Sequence, residues 1–230
     1  MAWPPSQILG AVRSSARRAL SGLAPQAIDV NAGGDMLCAQ ALPERAELVR
    51  MGFSFAAQIP LASAWTLLIT VPTTLANLSL QNGEATGGKS YIIERFWIKN
   101  TTSTASAGFI TPLAQLVVPG TAQVADDTTV LRWSLSGKAV PNALALDKRW
   151  TLSKLVMNSI LTGCLGDQWM HFNSMEQNPT TNLGAVIEVP CYGRYIVPPQ
   201  GSFNVNAQES VSGGVAIAGI EWHECFLDLG

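Results

Sequence analysis

The chain contains 230 residues, of which 13% are charged and only two are histidines, and its formal net charge is −2. Enzymes concentrate titratable groups in a polar site, so this composition favours a binding or structural role, and we expect no enzymatic activity and no cofactor. Because the net charge is small and no stretch reaches the roughly 18 apolar residues of a membrane span, we expect neither nucleic acid nor membrane as a partner.

Residues 1–50 differ from the rest of the chain and are predicted to form an N-terminal arm. Ser6 can cap a short helix and Gly22 can end it, and apolar residues between them recur every four positions. We expect this amphipathic segment to dock on its own domain or on a neighbouring subunit, while a transit peptide of similar composition stays an alternative. Three arginines are fewer than phosphate binding usually requires. The partner-binding candidates are Ile8, Leu9, Val12, Arg13, Arg17 and Leu20.

From residue 51 to residue 230 the hydrophobic period is two, which predicts β-strands separated by Gly, Pro and Asn turns. The strand candidates are 53–59, 65–71, 75–80, 91–98, 109–118, 130–135, 169–172, 185–189, 192–197, 202–207 and 215–226. About ten short strands without a fixed repeat predict a mainly β domain, an antiparallel jelly-roll-like sandwich.

One helical insert is predicted near residues 148–162. Asp147 can cap it and Gly163 can end it. The apolar residues that would share one helix face are Leu152, Leu155, Val156 and Ile160.

The segment from Gly83 to Ser90 fits the phosphate-loop pattern GxxxxGK[ST]. In a phosphate loop the backbone around Gly83 and Gly88 would cradle phosphates, Lys89 would reach the terminal groups and Ser90 would bind magnesium. A helix must follow such a loop, yet residues 91–98 are aromatic and β-branched, as strands prefer. We therefore favour a glycine-rich hairpin loop, and a nucleotide-binding enzyme remains the alternative.

Other candidate sites are weaker. Glu221 and His223 share one face of a predicted strand, whereas Trp222 and Glu224 share the other, so a metal or acid/base role at His223 competes with a polar cluster at a strand end. The four cysteines, at positions 38, 164, 191 and 225, include no close pair and are expected to be reduced and buried. Seven tryptophans suit core or interface positions, and a carbohydrate-binding module is a further alternative.

The C-terminal third carries a resemblance to a known class of proteins. The segment from Gly193 to Val205 is a strand, a Pro-Pro-Gln-Gly turn and a strand, and an apolar strand from Gly214 to Phe226 closes the chain. This layout resembles the final strands of jelly-roll virion proteins of tailed phages, such as head decoration (cement) proteins and single-jelly-roll capsid proteins. The resemblance covers residues 51–230 loosely and has no diagnostic motif.

This resemblance implies a non-enzymatic virion protein that self-associates and builds or stabilises an icosahedral capsid. The expected partners are copies of the same chain, as a homo-oligomer that the analogy with cement proteins suggests is a trimer, and the major capsid or neighbouring shell proteins. The expected location is the virion.

Overall fold

The computed structural model describes residues 46, 48–49, 52–73, 75–102, 108–117, 125–135, 151–160, 168–177, 185–211 and 213–227. The predicted arm residues, from Ile8 to Leu20, lie outside the described residues. Ala46, Leu48 and Val49 are helical. Gly52 has a φ of 83°, and its N–H bonds the carbonyl oxygen of Val49, a pattern that ends a helical turn just before the first strand.

Twelve strands form two antiparallel sheets over the described residues. In chain order they are β1 (Ser54–Gln58), β2 (Trp65–Thr66), β3 (Leu75–Asn82), β4 (Ser90–Thr102), β5 (Gly108–Val117), β6 (Leu131–Ser134), β7 (Ser153–Ile160), β8 (Met170–His171), β9 (Met175–Gln177), β10 (Val186–Val197), β11 (Ser202–Glu209) and β12 (Val215–Cys225). Sheet 1 has the order β10-β4-β12-β1-β6, with β2 also on β12, and sheet 2 has the order β7-β3-β11-β5-β8, with β9 also on β5. A 3-10 turn, Leu61–Ser63, precedes β2.

The strand pairs are nested from the outside of the chain inwards. β1 pairs with β12, β3 with β11, β4 with β10, and β5 with β8 and β9, all antiparallel. A long hairpin ribbon wound in this way is a jelly roll, and its successive strand pairs fall alternately in sheet 1 and sheet 2. The predicted mainly β, antiparallel sandwich is therefore confirmed. β6 and β7 widen the sheets beside β1 and β3.

The core lies between the sheets, where the inward residues of both alternate with outward ones. Phe55 stacks on Trp222 with ring centroids 5.7 Å apart, and Phe96 meets Phe203 edge-on across the sandwich at 5.9 Å. All four side chains are buried. Burying each contributes about 1.5–3 kcal/mol, so this aromatic layer supplies much of the adhesion between the sheets.

The predicted helical insert is wrong. Its described part is β7, which pairs with β3 from Ile160 on Leu75 to Ser153 on Asn82. Leu155 and Val156 are consecutive and both buried, so this strand has two covered faces and lacks the period-two pattern that identifies a strand. Asp147 and Gly163, its expected ends, lie outside the described residues.

Three further expectations need correction or refinement. The 83–90 segment is not a hairpin loop, because β3 and β4 belong to different sheets and the segment crosses between them. The 65–71 strand is reduced to the two residues of β2. The strands expected at 185–189 and 192–197 are one strand, β10, with a register shift between Pro190 and Tyr195.

A close approach in sheet 1 generates a stability prediction. Gly219 faces Trp97 across the β4–β12 pair, and a Cβ built on Gly219 would overlap the Trp97 ring. We expect Gly219→Ala to lower the free energy of unfolding by about 1–3 kcal/mol, because the ring has to shift from its packed position. Urea unfolding followed by tryptophan fluorescence measures the loss.

The matched control is the same change in a Trp97→Ala background, where no ring occupies the space above Gly219. There Gly219→Ala should cost little. An equal cost in both backgrounds would contradict the assigned contact.

Candidate functional site

The site with the densest polar chemistry lies at one end of the sandwich. Four parts of the chain meet there: the 82–90 crossing, the turn between β10 and β11, the start of β7 and the end of β12. Asn82 joins the first two parts. Its Nδ2 donates to the carbonyl oxygens of Lys89, at 2.8 Å, and Val197, at 3.1 Å. Its Oδ1 accepts from the Glu84 N–H at 3.0 Å.

The turn between β10 and β11, at this end of the sandwich, is the predicted Pro-Pro-Gln-Gly turn. The Gly201 N–H bonds the carbonyl oxygen of Pro198 at 3.0 Å, which places Pro199 second and Gly201 fourth, as expected from the sequence. Gln200 occupies the third position with a φ of 65°, a left-handed conformation that glycine usually supplies.

Glu224 is the centre of this site. It follows Trp222 on the inward face of β12, as the sequence alternation predicted, and its side chain is 0% exposed. Oε2 lies 2.5 Å from Lys89 Nζ. Oε1 accepts from the Thr151 hydroxyl and, at 3.3 Å, from Trp222 Nε1. We call Glu224, Lys89, Glu84, Thr151 and Trp222 the Glu224 cluster.

The remaining members of the Glu224 cluster complete its electrostatics. Glu84 Oε1 lies 3.4 Å from Lys89 Nζ, so one ammonium faces two carboxylates, and both Lys89 and Glu84 are largely buried. Burial raises the pKa of Glu224, an effect that Lys89 opposes. Burial and the Glu224 charge also raise the pKa of Tyr91 well above its ordinary value.

The Gly83–Ser90 segment differs in structure from a phosphate loop. Ser90 begins β4, so a strand stands where a phosphate loop needs a helix. Lys89 points at Glu224 and Glu84 instead of at an open loop. Gly88 donates to the Ala85 carbonyl oxygen at 2.8 Å, which closes a turn, and Gly83 follows the last residue of β3. The segment therefore lacks the helix N-terminus on which phosphate binding depends.

A second polar group lies on the outward face of sheet 1. Ser54 Oγ is 2.6 Å from His223 Nδ1, and Glu94 Oε1 is 3.5 Å from His223 Nε2. A serine, a histidine and a carboxylate are the side chains of a nucleophilic triad. Here Ser54 is fully buried, however, which keeps its hydroxyl away from a substrate.

Glu221 does not join His223, although both were candidates for one site. Arg95 Nε lies 2.6 Å from Glu221 Oε2, and Arg95 Nη1 lies 2.9 Å from Glu188 Oε1, so this arginine bridges three strands of sheet 1. The hydrogen bonds to the Glu188 and Glu221 carboxylates raise the pKa of Arg95. The arrangement pairs both carboxylates with one guanidinium on the outer surface of the sheet.

The described cysteines and tryptophans mostly serve the core. Cys191 and Cys225 are buried, as predicted, and burial raises the pKa of the Cys191 thiol to about 11. Trp65, Trp169 and Trp222 are buried, whereas Trp133 on β6 is exposed. Within the described ranges no group of three or more His, Cys, Asp or Glu residues is placed to hold a metal, and no helix is long and apolar enough to cross a membrane.

Sequence reasoning missed Thr151, Ser54 and Glu94. Each reaches its partner through strand register or a long loop, and Thr151 and Glu224 are 73 positions apart in the chain. Among the contacts of the Glu224 cluster, only the shared strand face of Trp222 and Glu224 could be predicted from the sequence.

Comparisons with known proteins add no family to this geometry. No protein-family model matches the chain, and no curated protein matches its sequence.

The buried ion pair gives a prediction about stability. Lys89→Met removes the cation that faces a fully buried carboxylate, and we expect it to lower the free energy of unfolding at neutral pH by about 3–5 kcal/mol. Urea unfolding monitored by circular dichroism checks this.

Lys99→Met is the matched control, because Lys99 lies on β4, the strand that Lys89 directly precedes, and its side chain is exposed. It should change the free energy of unfolding by no more than about 0.5 kcal/mol. Similar values for the two variants would show that Lys89 does not stabilise the end of the sandwich.

Proposed function

We propose that this protein is a non-enzymatic virion structural protein, which self-associates to build or reinforce a capsid shell as a shell-forming or cement subunit. The jelly-roll winding supports this, because the fold is used for capsid domains. Lectin domains and cupins use it too, so the winding alone does not select the function. The proposal therefore depends on where the polar and apolar groups of the surface lie.

The observation that carries the proposal is the exposure of large apolar side chains on both outer strands of sheet 1. On β6, Leu131 is 50% and Trp133 is 38% exposed, and on β10, at the opposite edge, Val186 is 51% exposed. Tryptophan at an exposed edge is typical of interface anchors. An outer strand that carries apolar side chains tends to meet another chain, so lateral contacts between copies fit both edges.

The charged groups support the same function. Lys89, Arg95 and Arg132 each form an ion pair inside the described part of the chain. Each of these pairs leaves one fewer unpaired charge to desolvate in a contact with a neighbouring chain. A nucleotide-binding enzyme would instead need Lys89 to face a ligand, and a carbohydrate-binding module would depend on Trp133.

The edge assignment gives an experiment on association. We expect the full-length protein to form oligomers or particles as its concentration rises. The double variant Leu131→Gln, Trp133→Gln should weaken association at least about tenfold. It removes two apolar side chains that the contact between copies would bury, and each contributes about 1 kcal/mol or more. Light scattering coupled to size-exclusion chromatography, with electron microscopy of the fractions, measures the shift.

Leu61→Gln is the matched control. Leu61 is 67% exposed but lies in the 3-10 turn, away from the sheet edges. It should associate like the wild type. A wild-type protein that stays strictly monomeric, and does not copurify with virus-like particles, would overturn the proposal. Nucleotide affinity by calorimetry, or a tryptophan fluorescence shift with a glycan, would favour the two alternatives in turn.

The N-terminal arm gives a separate prediction. Deleting residues 1–45 should leave the β domain folded and weaken assembly, because Ile8, Leu9, Val12 and Leu20 would no longer add apolar contact area to a neighbouring subunit. Circular dichroism checks the fold, and the light-scattering assay checks assembly. Unchanged assembly would indicate that the arm is a tail or a targeting segment.

A further inference from the structure

We propose that Lys89 and Glu224 condense into an intramolecular amide, a covalent cross-link between the start of β4 and the end of β12. The inference is independent of the proposed function. It rests on the geometry of the Glu224 cluster, which brings an amine, a carboxyl group, hydrogen-bond donors and a second carboxylate together in a largely buried site.

The two reacting groups are held next to each other. Lys89 Nζ lies 2.5 Å from Glu224 Oε2, and Tyr91 and Glu224 are register partners on neighbouring strands. Neither side chain can turn away, because Glu224 is 0% and Lys89 13% exposed. Fixing two reactants in contact in this way replaces a bimolecular encounter and lowers the barrier strongly.

The surroundings favour the uncharged carboxyl group that amide formation needs. Phe55, Tyr91 and Trp222 form an aromatic wall beside Glu224, and burial raises the pKa of its carboxyl group. A proton that passes from the Lys89 ammonium to the Glu224 carboxylate leaves a neutral amine and a neutral acid. Because burial favours the neutral form of the Glu224 carboxyl group, it lowers the cost of this transfer.

The other members of the cluster have roles in the step itself. The Lys89 amine attacks Glu224 Cδ, and the negative charge that develops on Oε1 is stabilised by the Thr151 hydroxyl and Trp222 Nε1, which already contact that oxygen. Glu84, 3.4 Å from Nζ, takes a proton from the amine and returns it to Oε2.

The balance of the reaction is simple. One Nζ–Cδ bond forms, the Cδ–Oε2 bond breaks, and Oε2 leaves with two protons as one water molecule. No oxidant, cofactor or other reactant is required. The product replaces a buried ion pair, which is expensive to desolvate, with a neutral amide.

Mass spectrometry of the full-length protein tests the proposal. Wild-type protein that circular dichroism shows to be folded is denatured, and its intact mass is measured. We expect a mass lower than that of the sequence by one water, and a proteolytic digest that contains a branched peptide joining the Lys89 and Glu224 segments.

Lys89→Arg is the control, because arginine keeps the positive charge beside Glu224 but is not a nucleophile. This variant should have the full mass of its sequence and no branched peptide. Folded wild-type protein with its full sequence mass and no branched peptide would overturn the proposal. So would a water loss that persists in Lys89→Arg, because the link would then lie elsewhere.

Discussion

The fold depends on the last two strands, because β11 and β12 are the central strands of the two sheets. β11 pairs with β3 and β5, and β12 pairs with β1 and β4. Neither sheet is complete until the C-terminal segment has entered it, so pairing across nearly the whole described chain has to precede a stable core. Contacts of such long sequence separation make folding slow and cooperative. The segment between these strands is fixed by Glu209, whose carboxylate accepts the N–H groups of Gly213 and Gly214.

The same two strands carry six of the sixteen polar or charged residues that are buried in the described part of the chain. β12 places Glu224 at the inner end of the sandwich and His223 on the outer face of sheet 1, while β11 places Asn204 and Asn206 on the outer face of sheet 2. Asn206 bonds Asn77 on β3 through their side chains at 2.6 Å. Buried polar groups of this kind add little net stability, but a wrong register would leave them without partners. They select one register for the central strands, which apolar residues alone would specify less strictly.

The sequence predicted most strand positions correctly, but it did not show which strands are covered on both faces. Alternation located nearly every strand that runs through the sandwich, because the inner face is apolar along most of its length. Alternation does not show that the polar face of β3 is also covered, with Asn77, Ser79 and Gln81 all buried. The β7 strand fails for the related reason that Leu155 and Val156 are buried on opposite faces. A period-two pattern arises when one face of a strand is buried and the other meets solvent. A strand that is covered on both faces lacks this pattern and is not recognised by it.

The distribution of charge connects this architecture with association. Because the outer faces carry Arg95 paired with Glu188 and Glu221, or the buried amides of sheet 2, they offer few unpaired charges to a partner. The large apolar side chains that stay exposed on sheet 1 are instead at its two outer strands, β6 and β10. Contacts through these edges would extend a sheet laterally without disturbing its faces. Such contacts would pull on the outer strands, and the load would pass through β4 and β1 to β12. A cross-link between Lys89 and Glu224 would secure β12 to β4, the strand that joins it to the β10 edge.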